Sequence, residues 1–286
     1  FARDFGGRRF AVGLVALLTA TMPVLLGAAH LAGTTTYDML AWSVILLLVT
    51  RAVVRDQPRL WLVAGVVAGI GLLDKHTLAV FLMPGLFVGL AISPQRRVLA
   101  SRWPWLAGVV AFAIGSPTLI WQAANGWPEL TMMHVLHTQH SGGGDAVKFL
   151  PSQLVYADPV VAPLWIAGLV QVLRARGREN VRFLGWLYLV LLVVVQVVAP
   201  GKPYYLAPLY IPLFAAGSCW IENRARSRIR LPRRAWPIVI VIGGIVCALI
   251  ALPISPIRFW HSVTPNSVNY DQGEEIRWPH IVGLVA

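Results

Sequence analysis

The sequence predicts an all-α integral membrane protein, a multi-span helical bundle of about nine transmembrane helices with an active site opening to the outer face. Three observations carry that prediction. Hydrophobic residues make up 57% of the 286 residues and charged residues only 13%, well below the share found in soluble domains. Nine apolar stretches lie near 10–33, 37–50, 60–73, 77–92, 103–124, 150–173, 183–199, 204–221 and 236–254, against the roughly 20 apolar residues a helix needs to cross the hydrocarbon. The cations then sort the gaps into two kinds. With a cytoplasmic N-terminus, the inward segments 1–9, 51–59, 93–102, 174–182 and 222–234 hold 19 of the 21 Arg and no Lys. The outward segments hold Lys75, Lys148 and Lys202 with only Arg258 and Arg277. Cationic loops resist translocation, so the split predicts a multi-pass protein of the plasma (inner) membrane with its C-terminus on the outer face.

A net charge of +12 would suggest nucleic acid in a soluble protein. Here the basic runs, such as Arg224, Arg226, Arg228 and Arg230, sit between spans and read as topology signals that meet anionic headgroups. Cys219 and Cys247 both fall inside apolar stretches, which predicts two buried thiols and no disulfide. Arg8 and Arg9 precede a stretch too long for a signal core, so no signal peptide is expected. Phe1 is not a Met, and Ala286 falls within an amphipathic pattern of Trp278, Ile281, Val282 and Val285, so the chain reads as part of a longer one. The expected organisation is a transmembrane bundle over 1–254, with an outer loop at 125–149. Residues 255–286 then begin a C-terminal outer-face segment, read either as the start of a truncated soluble domain or as a surface-lying tail helix.

Along the bundle, short turns at Gly33–Tyr37, Arg51–Arg59, Asp74–His76 and Ser93–Arg102 make consecutive spans antiparallel neighbours. Gly65 with Gly69, and Gly85 with Gly89, allow close helix approach. Pro23, Pro84, Pro117 and Pro212 lie inside spans, where the carbonyls they free need other partners. No repeat and no matched pair of broken helices marks two halves, which argues against many secondary-transporter architectures. Segment 125–149 runs from Asn125-Gly126-Trp127-Pro128 through His134, His137 and His140 to Gly142-Gly143-Gly144. It reads as a substrate-facing loop.

The outer ends concentrate the candidate chemistry. Asp38 follows Thr34-Thr35-Thr36-Tyr37 where a span re-enters the membrane. It is either a first-turn acid favoured by the helix dipole or a carboxylate held for acid–base work, or for positioning a metal or phosphate. Asp74-Lys75-His76 is either a self-neutralising turn or a place where Lys75 meets a phosphate at headgroup depth. In Gly201-Lys202-Pro203-Tyr204-Tyr205-Leu206, a helix start and an interfacial aromatic belt account for Pro203, Tyr204 and Tyr205 but not for Lys202. Together Lys75 and Lys202 could neutralise a leaving phosphate. The three loop histidines lack tight ligand spacing and read as solvated rather than as zinc ligands. Asp158 is expected about two turns into the sixth span, bonded within the bundle or touching substrate. Trp121, Gln122 and Trp127 suit interface anchoring, or a surface for stacking on and hydrogen-bonding a sugar.

These strings resemble glycosyltransferase family 39, whose members include protein O-mannosyltransferases and the aminoarabinose transferases of lipid A, with bacterial members the nearest in pattern. The resemblance rests on His30-Leu31 with Thr34-Thr35-Thr36-Tyr37-Asp38, and on Gly71-Leu72-Leu73-Asp74-Lys75-His76. It continues through Ser116-Pro117-Thr118-Leu119-Ile120-Trp121-Gln122 with Asn125-Gly126-Trp127-Pro128, and through Gly201-Lys202-Pro203-Tyr204-Tyr205-Leu206. It implies an enzyme of the cell envelope that moves a sugar from a polyprenyl-phosphate donor to an acceptor on the outer side. Asp38 matches the family acid near the donor phosphate or a divalent cation. Lys75 matches the residue contacting that phosphate, and Lys202 with Tyr204 the later Lys-Pro-x-Tyr element. Asp74, His76, Trp121, Gln122, Trp127 and Tyr205 are possible substrate contacts. The loop carrying the family's acceptor-activating acid would precede residue 1, so this segment is expected to lack the base. The alternative is a transporter or flippase for a lipid-linked or small anionic solute, and a third reading is a non-enzymatic membrane scaffold.

Overall fold

A computed structural model describes residues 1–31, 33–140, 143–175, 181–199, 202–223, 235–252, 254 and 283, less the side chains at 133, 136–140 and 143–146. Among the described residues every regular element is helical. The chain runs through α1 (Arg9–Thr21), α2 (Pro23–Leu31), α3 (Thr34–Val54), α4 (Leu60–Asp74) and α5 (Met83–Ala91). It continues through α6 (Arg102–Ala124), α7 (Pro128–His140), α8 (Gly143–Tyr156), α9 (Ala162–Arg174), α10 (Arg182–Val198), α11 (Ala207–Asn223) and α12 (Ala235–Ala251).

Helices occupy all nine apolar stretches, but they are not nine uniform rods. Thr34–Val54, Arg102–Ala124 and Pro203–Asn223 are each long and apolar enough to cross a membrane. Three more stretches are bent pairs: α1 with α2 at 56°, Leu78–Ala91 with Pro94–Ala100 at 115°, and Val147–Tyr156 with Pro159–Arg174 at 87°. By length and composition these make three candidate spans, or up to six when each bent pair counts as one. The remaining apolar helices, α4, α10 and α12, are shorter.

The breaks have local causes. Met22 is extended at ψ 120°, as expected for a residue preceding proline, and α2 starts at Pro23. Pro117 lies inside α6 without breaking it. The Ala113 carbonyl it would free accepts a 2.8 Å bond from the Ser116 hydroxyl. Asp158 is placed differently from the sequence expectation. It sits in the break between α8 and the short helix Pro159–Val161, at φ 71°, and accepts a 2.9 Å bond from the Val160 N–H as that helix's cap. Segment 125–149 is likewise helical rather than a loop, since α7 and the start of α8 fill it. The apolar residues of α7 gather on no one face, so no helical period revealed it.

Helix α11 lies at the centre, buried from Ala207 to Ile221 along most of its length and packed on α9, α1 and α3. Trp165, Tyr188 and Tyr210 form an aromatic cluster beside it, with centroids 5.3 to 5.9 Å apart. The small-residue pairs serve close packing: a Cβ on Gly65 would stand 2.5 Å from the Ala107 carbonyl oxygen, where α4 crosses α6. Both cysteines are buried and unpaired with each other. On the outside, Ile70, Val109, Phe112, Ile120, Val193 and Ile242 are all exposed. An apolar exterior on this scale fits lipid and would be a liability in water.

Helix α3 carries Asp38 near its start and Arg51 in its last turn, so the basic turn at Arg51–Arg55 and the candidate site lie at opposite ends of that helix. The basic end is less plain than its sequence suggests. Buried Asp4 holds Arg55 at 2.5 Å and Arg51 at 3.5 Å, and Glu222 accepts the N–H groups of Arg8 and Ala11 at the start of α1. Arg224 to Arg230 and the amphipathic pattern beginning at Trp278, apart from Gly283, lie outside the described residues.

Candidate active site

Asp38 lies one turn into α3 and is buried. It is not a helix cap, because Gly33 holds that position and α3 already starts at Thr34. Its Oδ1 accepts a 3.0 Å bond from Trp42 Nε1 and a 2.7 Å bond from Thr77 Oγ1. The first donor lies one turn along the same helix and the second in the turn after α4, so Asp38 pins that turn to α3. Thr36 fastens the same region from the other side by donating to the Ala28 carbonyl.

The pinned turn carries Asp74, Lys75, His76 and Thr77. Lys75 ends α4, its N–H bonded to the Gly71 carbonyl at 2.8 Å. Its ammonium donates to Thr35 Oγ1 at 3.2 Å and stands 5.3 Å from the Tyr205 ring and 5.8 Å from the Tyr204 ring. Lys202 Nζ approaches the same Tyr204 ring at 5.9 Å. The two tyrosine rings meet edge to face at 4.9 Å, and Phe81 supports Tyr205 at 5.5 Å. Among the described residues neither lysine forms an ion pair. Burial pushes the Lys75 ammonium below the usual lysine range; the Asp38 carboxylate opposes that shift, Lys202 adds to it, and Asp74 opposes it. Two cations without an ion-pair partner among the described residues, backed by aromatic faces and a hydroxyl, favour an anion.

Tyr204 and Tyr205 belong to the short helix Pro203–Leu206, which leads into α11. That helix is held from α8: Gln153 Nε2 donates to the Pro203 carbonyl at 3.3 Å, while Gln153 Oε1 accepts from the Tyr210 hydroxyl at 2.6 Å. A π-helical turn, Leu78–Leu82, follows directly on Thr77. Such turns are uncommon and cluster at functional sites.

A second group adjoins the first. Gln122, buried at the end of α6, donates to Glu129 Oε2 and accepts the Glu129 N–H, both at 3.2 Å. Gly126 and Trp127 both have positive φ, 74° and 58°, and so reverse the chain into α7. Glu129 Oε2 also pairs with His76 Nδ1. The sequence reading missed Thr35, Thr77 and Glu129; Thr77 and Glu129 each follow directly on a quoted string, which was the available signal. Trp121 and Trp127 project outward, 57% and 44% exposed, as interface anchors do. His134 is exposed, and the side chains of His137 and His140 lie outside the described residues. Among the described residues no group of three His, Cys, Asp or Glu could hold a metal ion.

Residues 2–121 match the family model of dolichyl-phosphate-mannose-protein mannosyltransferases. Over that stretch the chain is similar to that mannosyltransferase family. The matched stretch is less than half of the chain. It contains Asp38, Asp74, Lys75, His76 and Trp121, whereas Gln122, Glu129, Lys202, Tyr204 and Tyr205 come from beyond it. The family implies glycosyltransferase activity in a membrane setting, and the apolar helices agree. No curated protein and no solved structure matches the chain.

Proposed function

We propose that this protein is a membrane glycosyltransferase that takes a sugar from a polyprenyl-phosphate donor and passes it to an acceptor on the outer side of the membrane. The observation carrying the reading is the convergence of Lys75 and Lys202 on Tyr204 beside buried Asp38. Segments far apart in sequence assemble an anion site at the headgroup-proximal end of a bundle. A sugar phosphodiester reacts there by displacement at its anomeric carbon. The acceptor oxygen forms the new bond, the carbon–oxygen bond to phosphate breaks, and the polyprenyl phosphate leaves with the electron pair. Lys75 and Lys202 offset the charge gathering on that phosphate, which is where preorganised cations act most strongly. Asp38 fixes the turn bearing Lys75 and offers its second oxygen to the donor or to a divalent cation.

The test uses the full-length protein in vesicles with polyprenyl phosphates carrying mannose, glucose or a pentose. Lys75→Ala and Lys202→Ala should each cut donor cleavage roughly tenfold or more while the protein still inserts. Wild-type cleavage rates in both variants would end the phosphate-clamp reading.

A further inference from the structure

A cavity of about 210 Å³ lies between α3, α4, α5 and α6, away from the lysine pair. Its wall is apolar, with Val49, Ala68 and Leu90 inside and Phe87, Trp105 and Gly108 where it opens. Phe87 and Trp105 are 47% and 59% exposed and meet edge to face at 6.1 Å, one from α5 and one from α6. The mouth therefore faces the lipid side of the bundle. A cavity of this size and lining stays dry and takes hydrocarbon. Toward Lys75 it is closed: Leu78 packs against Gly71 and Leu72 against Gly115, one turn beyond the last lining residues of α4 and α6.

The lining runs instead to the basic end. It reaches Trp61 near the start of α4, Pro104 near the start of α6, and Leu99 in the short helix Pro94–Ala100. That helix turns by 115° from Leu78–Ala91, and its Leu99 carbonyl accepts a 2.9 Å bond from Trp105 Nε1. Residues 93–102 hold Arg96, Arg97 and Arg102 and no acid. All three are exposed, and among the described residues none forms an ion pair. The turn before α4 adds Arg59 with one acid, Asp56, so the 93–102 segment supplies the net charge.

We infer that the cavity binds one acyl chain of an anionic phospholipid, whose headgroup phosphate lies on Arg97 and Arg102. Each arginine stands two residues from a lining residue, Leu99 or Pro104. Uncompensated guanidinium groups beside a hydrocarbon-lined opening match a phosphate carried on a fatty chain. A neutral lipid would fill the same space and leave them unmatched. The inference does not depend on the transferase reading, which assigns the donor phosphate to Lys75 and Lys202 at the opposite end of α4. A chain seated here braces α3 and α4, the helices that carry Asp38 and Lys75, through Val49 and Ala68.

The experiment uses the full-length protein in neutral detergent. It measures binding of phosphatidylglycerol, phosphatidylethanolamine and polyprenyl phosphate by native mass spectrometry, with the melting temperature read alongside. Phosphatidylglycerol should bind at least about tenfold more tightly than phosphatidylethanolamine of the same chain length, since each interfacial cation is worth about fivefold. It should also raise the melting temperature more. Arg97→Gln combined with Arg102→Gln should erase that preference and leave phosphatidylethanolamine binding as it was. A Cβ on Gly108 meets nothing within 4 Å, so Gly108→Leu adds a side chain at the mouth without a clash and should lose phosphatidylglycerol binding. Lys75→Ala should keep it. Equal affinity for the two phospholipids, or full phosphatidylglycerol binding by Gly108→Leu, would overturn the inference. So would displacement of phosphatidylglycerol by polyprenyl phosphate that survives Lys75→Ala, which would give the cavity to the prenyl chain. Both arginines are exposed and need no repacking, so their variant decides the case if Gly108→Leu fails to fold.

Discussion

Asp38 shows how one carboxylate can hold a fold together and face a substrate at once. Its Oδ1 satisfies Trp42 and Thr77, both as acceptor, a task an asparagine oxygen performs equally well. Asp38→Asn should therefore melt within a few degrees of the wild type yet lose most donor cleavage, because only the charge is gone. Asp38→Ala leaves two buried donors without an acceptor, at about 1–3 kcal/mol each, and should lose stability and activity together. Full activity in the Asn variant would show that the carboxylate's role is structural. Lys75 makes a prediction about pH. Its lowered affinity for a proton means that it discharges at a lower pH than an ordinary lysine. Polyprenyl-phosphate binding should accordingly weaken as pH rises, earlier than an exposed lysine would allow, and Lys75→Arg should flatten that alkaline decline. Binding titrations against pH read both outcomes. At this scale the sequence showed which residues bear charge on the wrong side of the positive-inside pattern. It could not show that Thr77 and Glu129 close the group, because neutral hydroxyls and single acids carry no periodic signal.

Between elements, the site depends on contacts well away from it. Helices α9 and α11 cross with Gly168 against the Leu213 carbonyl and Gly217 against the Leu164 carbonyl. A methyl group at Gly168 would force the helices apart, and such overpacking costs typically about 1–3 kcal/mol, occasionally more. Gly168→Ala should thus lower the melting temperature in detergent, whereas Gly13→Ala, where nothing lies within 4 Å, should not. The other link is Gln153, which couples the Tyr210 hydroxyl to the Pro203 carbonyl and so sets where Lys202 and Tyr204 stand. Apolar runs located the helices apart from α7 and the start of α8, since hydropathy alone decides which segments can face lipid. They did not reveal where helices break. The 87° bend at Asp158 follows from one residue in a left-handed conformation and its cap on Val160, which is local geometry without a compositional trace. Helix α7 stayed hidden because its apolar residues, Leu130, Met132 and Val135 among them, are not gathered on one face.

Across the whole molecule, polarity is divided end to end. One end of α3 gathers Thr35, Asp38, Lys75, His76, Glu129 and Lys202; the other gathers Arg51 and Arg55 on Asp4, while Glu222 caps the start of α1. An enzyme using a lipid-linked donor needs this asymmetry, because the donor's phosphate lies in one headgroup layer and its prenyl chain in the hydrocarbon. Our proposal that the site end faces outward rests on the arginine pattern. That assignment predicts a labelling experiment. Asn125 near the site end and Gln57 near the basic end are both exposed, while the native Cys219 and Cys247 are buried and should give little background. A membrane-impermeant thiol reagent applied to intact cells should label Asn125→Cys at once and Gln57→Cys only after permeabilisation. The reverse pattern would turn the molecule over and put the phosphate cluster on the cytoplasmic side. Labelling of both from outside would mean that an even number of the three apolar segments between them (α4, the bent pair beginning at Leu78, and α6) cross the bilayer, as when α4 does not. In that case the shorter apolar helices α4, α10 and α12 would be packing elements, and the span count would fall to the six or fewer that length alone supports.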